Sequence, residues 1–499
     1  MNPNILFIVV DSFNESKFHG KERKCVTPNL DLILSKGTYF KSTIPAAPST
    51  LSSLSSIFTS KYPFECILRD KKNYVMDTKI ENYIKILKNS GYTTNAMVPE
   101  MIKYFGLVDD FNYVTTYKSN SSIHDGFGLT ILDELNHKMN TPWFYYIHLM
   151  DLHGYKKFDE SNRLKKFHDP KFGINKYEQM VSALDEWLGK IFNKINLKET
   201  LLVLTADHGS EDANFTKELQ EYKQNIRRYK INPLIKSSTK FSKKMPSFLN
   251  PIKSKIKEKF IQKRSKVLSK RALDKINEIQ NLHLSPHEKR IMLNVVKNNY
   301  TVFDDRLKVP LLFVGSNIIS GEIIHEQVRT IDIFPTIAEI LNLDEKTENR
   351  GKSLIPFITG NKVDELPAFV ESATNRVDME NSNVVGIRTS KYKYFRDRMN
   401  FEINQNLYDL KNDPLEENNI AQNNVDLVET MENLLTKTTG NSNFDIKESN
   451  DIFNQEELTI ISKDCNYDVI GITGSTNQYL GIIKTAEIFK KNNSDIITI

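Results

Sequence analysis

Four short runs of uninterrupted apolar residues, at 5–10, 143–147, 201–204 and 311–314, are each followed by polar sequence. A strand buried on one face alternates between apolar and polar residues, whereas one buried on both faces reads as a continuous apolar run. Between these runs the spacing changes. Met180, Val181, Leu184, Leu188, Ile191 and Phe192 recur at helical intervals, which predicts a helix over 177–192 packed on a sheet. The fold class expected is α/β: a doubly wound, mostly parallel sheet sandwiched by helices, whose ligands bind at the carboxyl ends of the strands.

A chain of 499 residues exceeds what one core usually fills, so smaller pieces should be appended to the main domain. The expected organisation is a catalytic domain over 1–365 with a basic insertion at about 212–300, a small α+β subdomain over 366–440 and an extension over 441–499. Residues 217–275 hold 19 Lys or Arg against the acids Glu218, Glu221, Glu258 and Asp274, a charge of +15. The formal charge of the whole chain is +5, so the remainder carries −10. Strand-like alternation over 367–410 predicts an antiparallel subdomain. Residues 467–499 read strand, helix, strand, and are similar to the opening of cobalamin-binding domains attached to radical enzymes.

Three scattered cysteines, Cys25, Cys66 and Cys465, form neither a disulfide framework nor a four-cysteine zinc site. The six-residue apolar run at the N-terminus has no basic segment before it and reads as a strand, which gives the expectation of a cytoplasmic protein.

Acids and histidines gather where the apolar runs end. Asp11 follows the first run, Asp151 and His153 follow the second, and Asp207 and His208 follow the third. One such Asp is commonly a helix cap. Several at one sheet edge can hold a divalent cation and activate an adjacent hydroxyl.

The segments PNILFIVVDS, TPNLDLILSKGTYFKST, APSTLSSLSSIFTSKYP, FYYIHLMDLHGY, LLVLTADHGS, DDRLKVPLLFVG, VRTIDIFPTIAEILNL and NLYDLKNDPLEENNIA resemble, in order, the sulfatase-like family of the alkaline phosphatase superfamily. That resemblance implies a metal-dependent ester hydrolase or transferase. Register from TSKYP puts Thr50 where true sulfatases carry the Cys of Cys-x-Pro-Ser-Arg, so Thr50 is the implied nucleophile. Asp11, Thr50, Asp207 and His208 are the implied metal ligands. His153 matches the substrate-binding histidine and could protonate the leaving oxygen, whereas His148 reads as structural. Lys297 and Asn298 fall where the family tends to place a substrate-binding cation. Ser12 replaces a frequent second acid and His208 a frequent Asn, which favours Mn over Mg, Zn or Ca.

Threonine lacks the second hydroxyl that formylglycine hydrate uses to release sulfate. The activity expected is therefore on phosphate-type esters through a covalent Thr50 intermediate. The alternatives are a sulfuric ester hydrolase and a binding protein for anionic membrane or nucleic acid with a degenerate site. The expected substrate is an anionic ester, lipid- or glycan-linked, with an anionic membrane contacted through 217–275 in preference to nucleic acid.

Overall fold

The computed structural model describes residues 2–448 apart from 21–22, 71–72, 137–138, 154, 156–161, 231–271, 298–301, 317, 344–348, 362, 373–382, 441–443 and 445–446. The expectation for 467–499, most of the basic insertion and Asn298 lie outside the described residues.

The strands in chain order are β1 (Asn4–Val10), β2 (Gly37–Ile44), β3 (Ile67–Asp70), β4 (Asn73–Met76), β5 (Thr93–Pro99), β6 (Tyr113–Tyr117), β7 (Trp143–Leu149) and β8 (Thr200–Thr205). They continue as β9 (Val309–Val314), β10 (Glu322–Arg329), β11 (Ala368–Glu371), β12 (Val384–Arg388), β13 (Tyr392–Asp397), β14 (Asn406–Asp409) and β15 (Lys447–Glu448). An eight-stranded sheet in the order β10-β2-β9-β8-β1-β7-β5-β6 forms the centre. Its neighbours run parallel except around β9, which is antiparallel to both β2 and β8.

The four apolar runs of the sequence fall inside β1, β7, β8 and β9, the middle of this sheet, where both faces are covered. Along β1, Leu6, Ile8 and Val10 join one core layer, while Ile5, Phe7 and Val9 join the opposite one. The first layer receives the helix Lys176–Phe192 through Met180, Val181, Leu184, Leu188 and Ile191. Asn175 caps that helix, its side chain accepting from the Glu178 amide. The second layer receives the helix Thr50–Thr59 through Leu51, Leu54, Ile57 and Phe58. Each such side chain contributes roughly 1.5–3 kcal/mol on burial, so both helices are held firmly beside the sheet.

The C-terminal sheet is antiparallel in the order β11-β12-β13-β14. It packs Val385, Ile387, Tyr394 and Leu407 against Val428, Met431 and Leu435 of the helix Val425–Thr439. A smaller ribbon pairs β15, β3 and β4. The flanks of the basic insertion are helical, including Lys217–Lys230 and Pro286–Lys297, and share a core of Phe215, Ile226, Ile279, Ile291 and Met292. Among the described residues, no helix is long and apolar enough to cross a membrane.

Candidate metal and nucleophile site

β8, β1 and β7 are adjacent and parallel, so their carboxyl ends open onto one point. Asp11 follows β1, Asp207 follows β8 and His148 is the penultimate residue of β7, paired in register with Val9. One ligating atom from each of these three buried residues lies within 4.8 Å of the others. His148 Nε2 and Asp207 Oδ2 have no hydrogen-bond partner among the described residues. A buried, unpaired acceptor is costly, and a cation between these atoms removes that cost. Two carboxylates and an imidazole fit a divalent transition ion or magnesium. Tyr146 Oη lies 2.8 Å from His148 Nδ1, and with Nδ1 donating to it, Nε2 is left with its lone pair toward the carboxylates.

His148, which the sequence reads as structural, thus enters the group of candidate ligands. A histidine inside a wholly apolar strand was the available signal, since an imidazole there needs a partner. His208 is buried beside the group, with Nδ1 2.9 Å from the Gly209 carbonyl and Nε2 3.7 Å from Asp207 Oδ2. Asp207 Oδ1 is fixed by the amides of His208 at 2.8 Å and Ser12 at 3.2 Å.

Ser12 makes that contact from the left-handed region, with φ of 65°. This conformation costs a residue with a Cβ roughly 1–2 kcal/mol. It is held by the Tyr177 hydroxyl, which donates to the Ser12 carbonyl at 2.6 Å, while the Ser12 hydroxyl donates to Asp11 Oδ1 at 2.6 Å.

Thr50 begins the buried helix that follows β2, and its hydroxyl donates to Asp11 Oδ2 at 3.1 Å. The helix start has no side-chain cap, so its free amides and dipole favour an anion beside Thr50. His153 approaches from the solvent side, its side chain 55% exposed and its Nδ1 2.9 Å from Asp11 Oδ1. Burial would raise the Asp11 carboxyl, but the charge and hydrogen bond of His153 and the charge of His208 outweigh it, and the group is held well below the usual carboxylate range. Asp11 therefore stays an anion.

Asp151 takes no part. Ser122 Oγ donates to its Oδ1 at 2.5 Å and the Ile123 amide at 3.0 Å, so it caps the turn Ile123–Asp125. Lys297 ends the helix Pro286–Lys297.

A family model described as Sulfatase matches residues 3–269, more than half of the chain. The chain belongs to the sulfatase family. A second model, described as N-sulphoglucosamine sulphohydrolase, C-terminal, matches residues 297–441. Among similar sulfatases are the Ulvan-active sulfatase of Formosa agariphila, 28% identical over 26% of this chain and 32% of that protein, and the human Arylsulfatase K, 27% identical over 31% and 30%. The choline-sulfatase of Rhizobium meliloti is 32% identical over 24% of this chain and 23% of that protein. The matched segments thus span about a third or less of these relatives. Over most of its length the chain shares the fold of a 2-O GAG sulfatase, with TM-score 0.60 and 14% identity over 88% of this chain and 92% of that one. It likewise shares the fold of the phosphonate monoester hydrolase of Agrobacterium radiobacter, with TM-score 0.59 and 13% identity over 88% and 96%.

Proposed function

We propose that this chain is a hydrolase of sulfuric esters, working with one divalent metal ion and with Thr50 as its nucleophile. The observation that carries this reading is the Thr50 hydroxyl 3.1 Å from Asp11, a member of the buried Asp11, His148 and Asp207 group. That most of the similar proteins are sulfatases supports the sulfuric class. The names of two of them, acting on ulvan and on a GAG, support a glycan-linked ester.

Asp11, His148 and Asp207 would hold the ion, with His208 and Thr50 beside them, and Mn is preferred over Mg, Zn or Ca for this mixed oxygen and nitrogen set. A bound divalent ion supplies positive charge that lowers the pKa of a neighbouring hydroxyl and stabilises charge on the ester oxygens. Asp11 orients the Thr50 hydroxyl and, being held ionised, does not take its proton. Thr50 Oγ gives its proton to solvent and attacks sulfur as the bond from sulfur to the leaving oxygen breaks. His153, on the open side, gives that oxygen its proton. Water then attacks the sulfur, releases sulfate and returns a proton to Thr50 Oγ.

Thr50 itself favours a second reading, hydrolysis of phosphate-type esters. An unbranched route of release by water suits a phosphorylated threonine, whereas a sulfated one lacks the second hydroxyl through which formylglycine hydrate expels sulfate. The deciding experiment supplies an aryl sulfate and the matched aryl phosphodiester and phosphonate to the Mn-loaded protein. Repeated turnover of the sulfate supports the first reading. A single burst that leaves Thr50 sulfated, with repeated turnover of a phosphorus ester, overturns it in favour of the second. Thr50→Ala should be inactive on every ester while remaining folded, and an active variant would remove Thr50 from either scheme.

A further inference from the structure

The short helix Asp304–Leu307 touches both loops of the site through one residue, Arg306. The Gly209 amide, next to His208, donates to the Arg306 carbonyl at 2.8 Å. The Arg306 side chain reaches the other loop, where Nη2 donates to the Pro48 carbonyl at 3.0 Å, two residues before Thr50. The backbone on either side is fixed. Asn14 Nδ2 donates to the Asp305 carbonyl at 2.9 Å, and the Ser210 amide donates to Asn14 Oδ1 at 2.7 Å. A Cβ added at Gly209 would lie 2.7 Å from the Asp305 carbonyl, so the two segments are in close contact. The Asp305 carboxylate is gripped by His287 Nε2 and Arg290 Nη2, both at 2.7 Å, from the helix Pro286–Lys297. Arg290 also donates to the Leu415 and Glu416 carbonyls.

We infer that Arg306 is a positioning residue, whose guanidinium sets the Pro48–Thr50 turn against the Asp207–His208 loop. This rests on Thr50 being the reacting hydroxyl. The two loops leave β2 and β8, which β9 separates in the sheet, and pack on different layers, so no direct pairing of these two strands sets the distance between the loops. Arg306 supplies that distance with one main-chain and one side-chain hydrogen bond. Its half-buried charge is matched nearby by Glu211, whose carboxyl burial would raise but Lys223, and after it Arg306, hold below its usual value. An arginine suits this role because its donors are rigidly placed at the end of a long stem.

The test compares wild type with Arg306→Ala and Arg306→Lys. Displacement of a nucleophile by about 1 Å can cost on the order of a hundredfold in rate, so Arg306→Ala should lower kcat by roughly ten- to a hundredfold with KM, Tm and Mn affinity unchanged. Arg306→Lys, which keeps one donor for the Pro48 carbonyl, should recover part of the loss. Hydrogen exchange read on the peptide covering 46–52 should accelerate in Arg306→Ala and not in Arg306→Lys. An unchanged kcat, a raised KM at constant kcat, or unaltered exchange over 46–52 would overturn the assignment. If wild type turns over none of the esters, the reading of Thr50 as nucleophile fails, and the exchange measurement alone still decides whether Arg306 holds the turn.

Discussion

Asp11 is surrounded by more donors than a carboxylate needs to stay ionised, with Ser12, Thr50 and His153 all within hydrogen-bonding distance. Such a group binds a cation well and accepts a proton poorly. His148→Gln and Asp207→Asn should therefore each weaken Mn binding by about tenfold or more, read by calorimetric titration of the folded variants; unchanged affinity in both would exclude this group as the metal site. Asp151 behaves in the opposite way. Burial pushes its carboxyl up to about 6, against hydrogen bonds from Ser122 and Ile123 that lower it. A folded-state value above the unfolded one means that the native protein binds this proton more tightly. Its contribution is present below about pH 4 and is lost as pH rises through about 6, with a total of about 3 kcal/mol for a shift of this size. Asp151→Asn should flatten that part of the stability profile between pH 4 and 7, measured by denaturant unfolding. A wild-type slope in the variant would contradict it. The sequence placed Asp151 at a strand end, but only the structure distinguishes a carboxylate turned into the site from one turned onto the Ile123 amide.

At the scale of elements, β1, β7, β8 and β9 were legible because a strand covered on both faces has no polar residue to interrupt it. β2 and β10, nearer the sheet edge, carry Lys41, Glu322 and His325 and gave no such run. The reversed direction of β9 was not legible either, since an apolar run does not record its direction. Thr50, Asp11, Asp207, His208 and His153 could be named from motif order, and the structure brings them together; His148 could not, because the sheet register that aims it at Asp11 is a long-range property. The junction between the two sheets depends on charge. Lys393 Nζ is fully buried, with Asp304 at 2.5 Å and Glu416 at 2.7 Å, and Arg388 Nη2 reaches Asp304 at 2.7 Å. Lys393→Met keeps the volume but leaves two buried carboxylates short of a partner. It should destabilise the fold by about 3–5 kcal/mol, seen as a fall in Tm and in the denaturation midpoint. A loss below 1 kcal/mol would mean that Arg388 and Arg290 alone satisfy the acids.

For the molecule as a whole, the charge is divided between a basic stretch at 217–275 and an otherwise acidic chain. The helix that opens this stretch and the helix Pro286–Lys297 that follows it are both tied to site loops: Lys223 pairs with Glu211 at 2.7 Å and Asp212 at 3.1 Å, and His287 with Asp305. Removal of 231–271 should spare turnover of a small soluble ester while weakening attachment to anionic vesicles, an attachment that in wild type should fade as salt shortens the screening length to about 10 Å at 0.1 M. Salt-independent attachment, or loss of small-ester turnover, would count against a surface role for it. The order of the three central strands has a further consequence. Neighbouring strands lie about 4.8 Å apart, and donors about 2.0–2.5 Å from an ion stand at most about 4–5 Å from one another across it. The peptide hydrogen bonds between β8, β1 and β7 are thus a ruler whose divisions match the span between two donors on opposite sides of an ion. Exchanging one donor for another at these strand ends changes which ion the cage prefers, while the size of the cage is kept by the backbone.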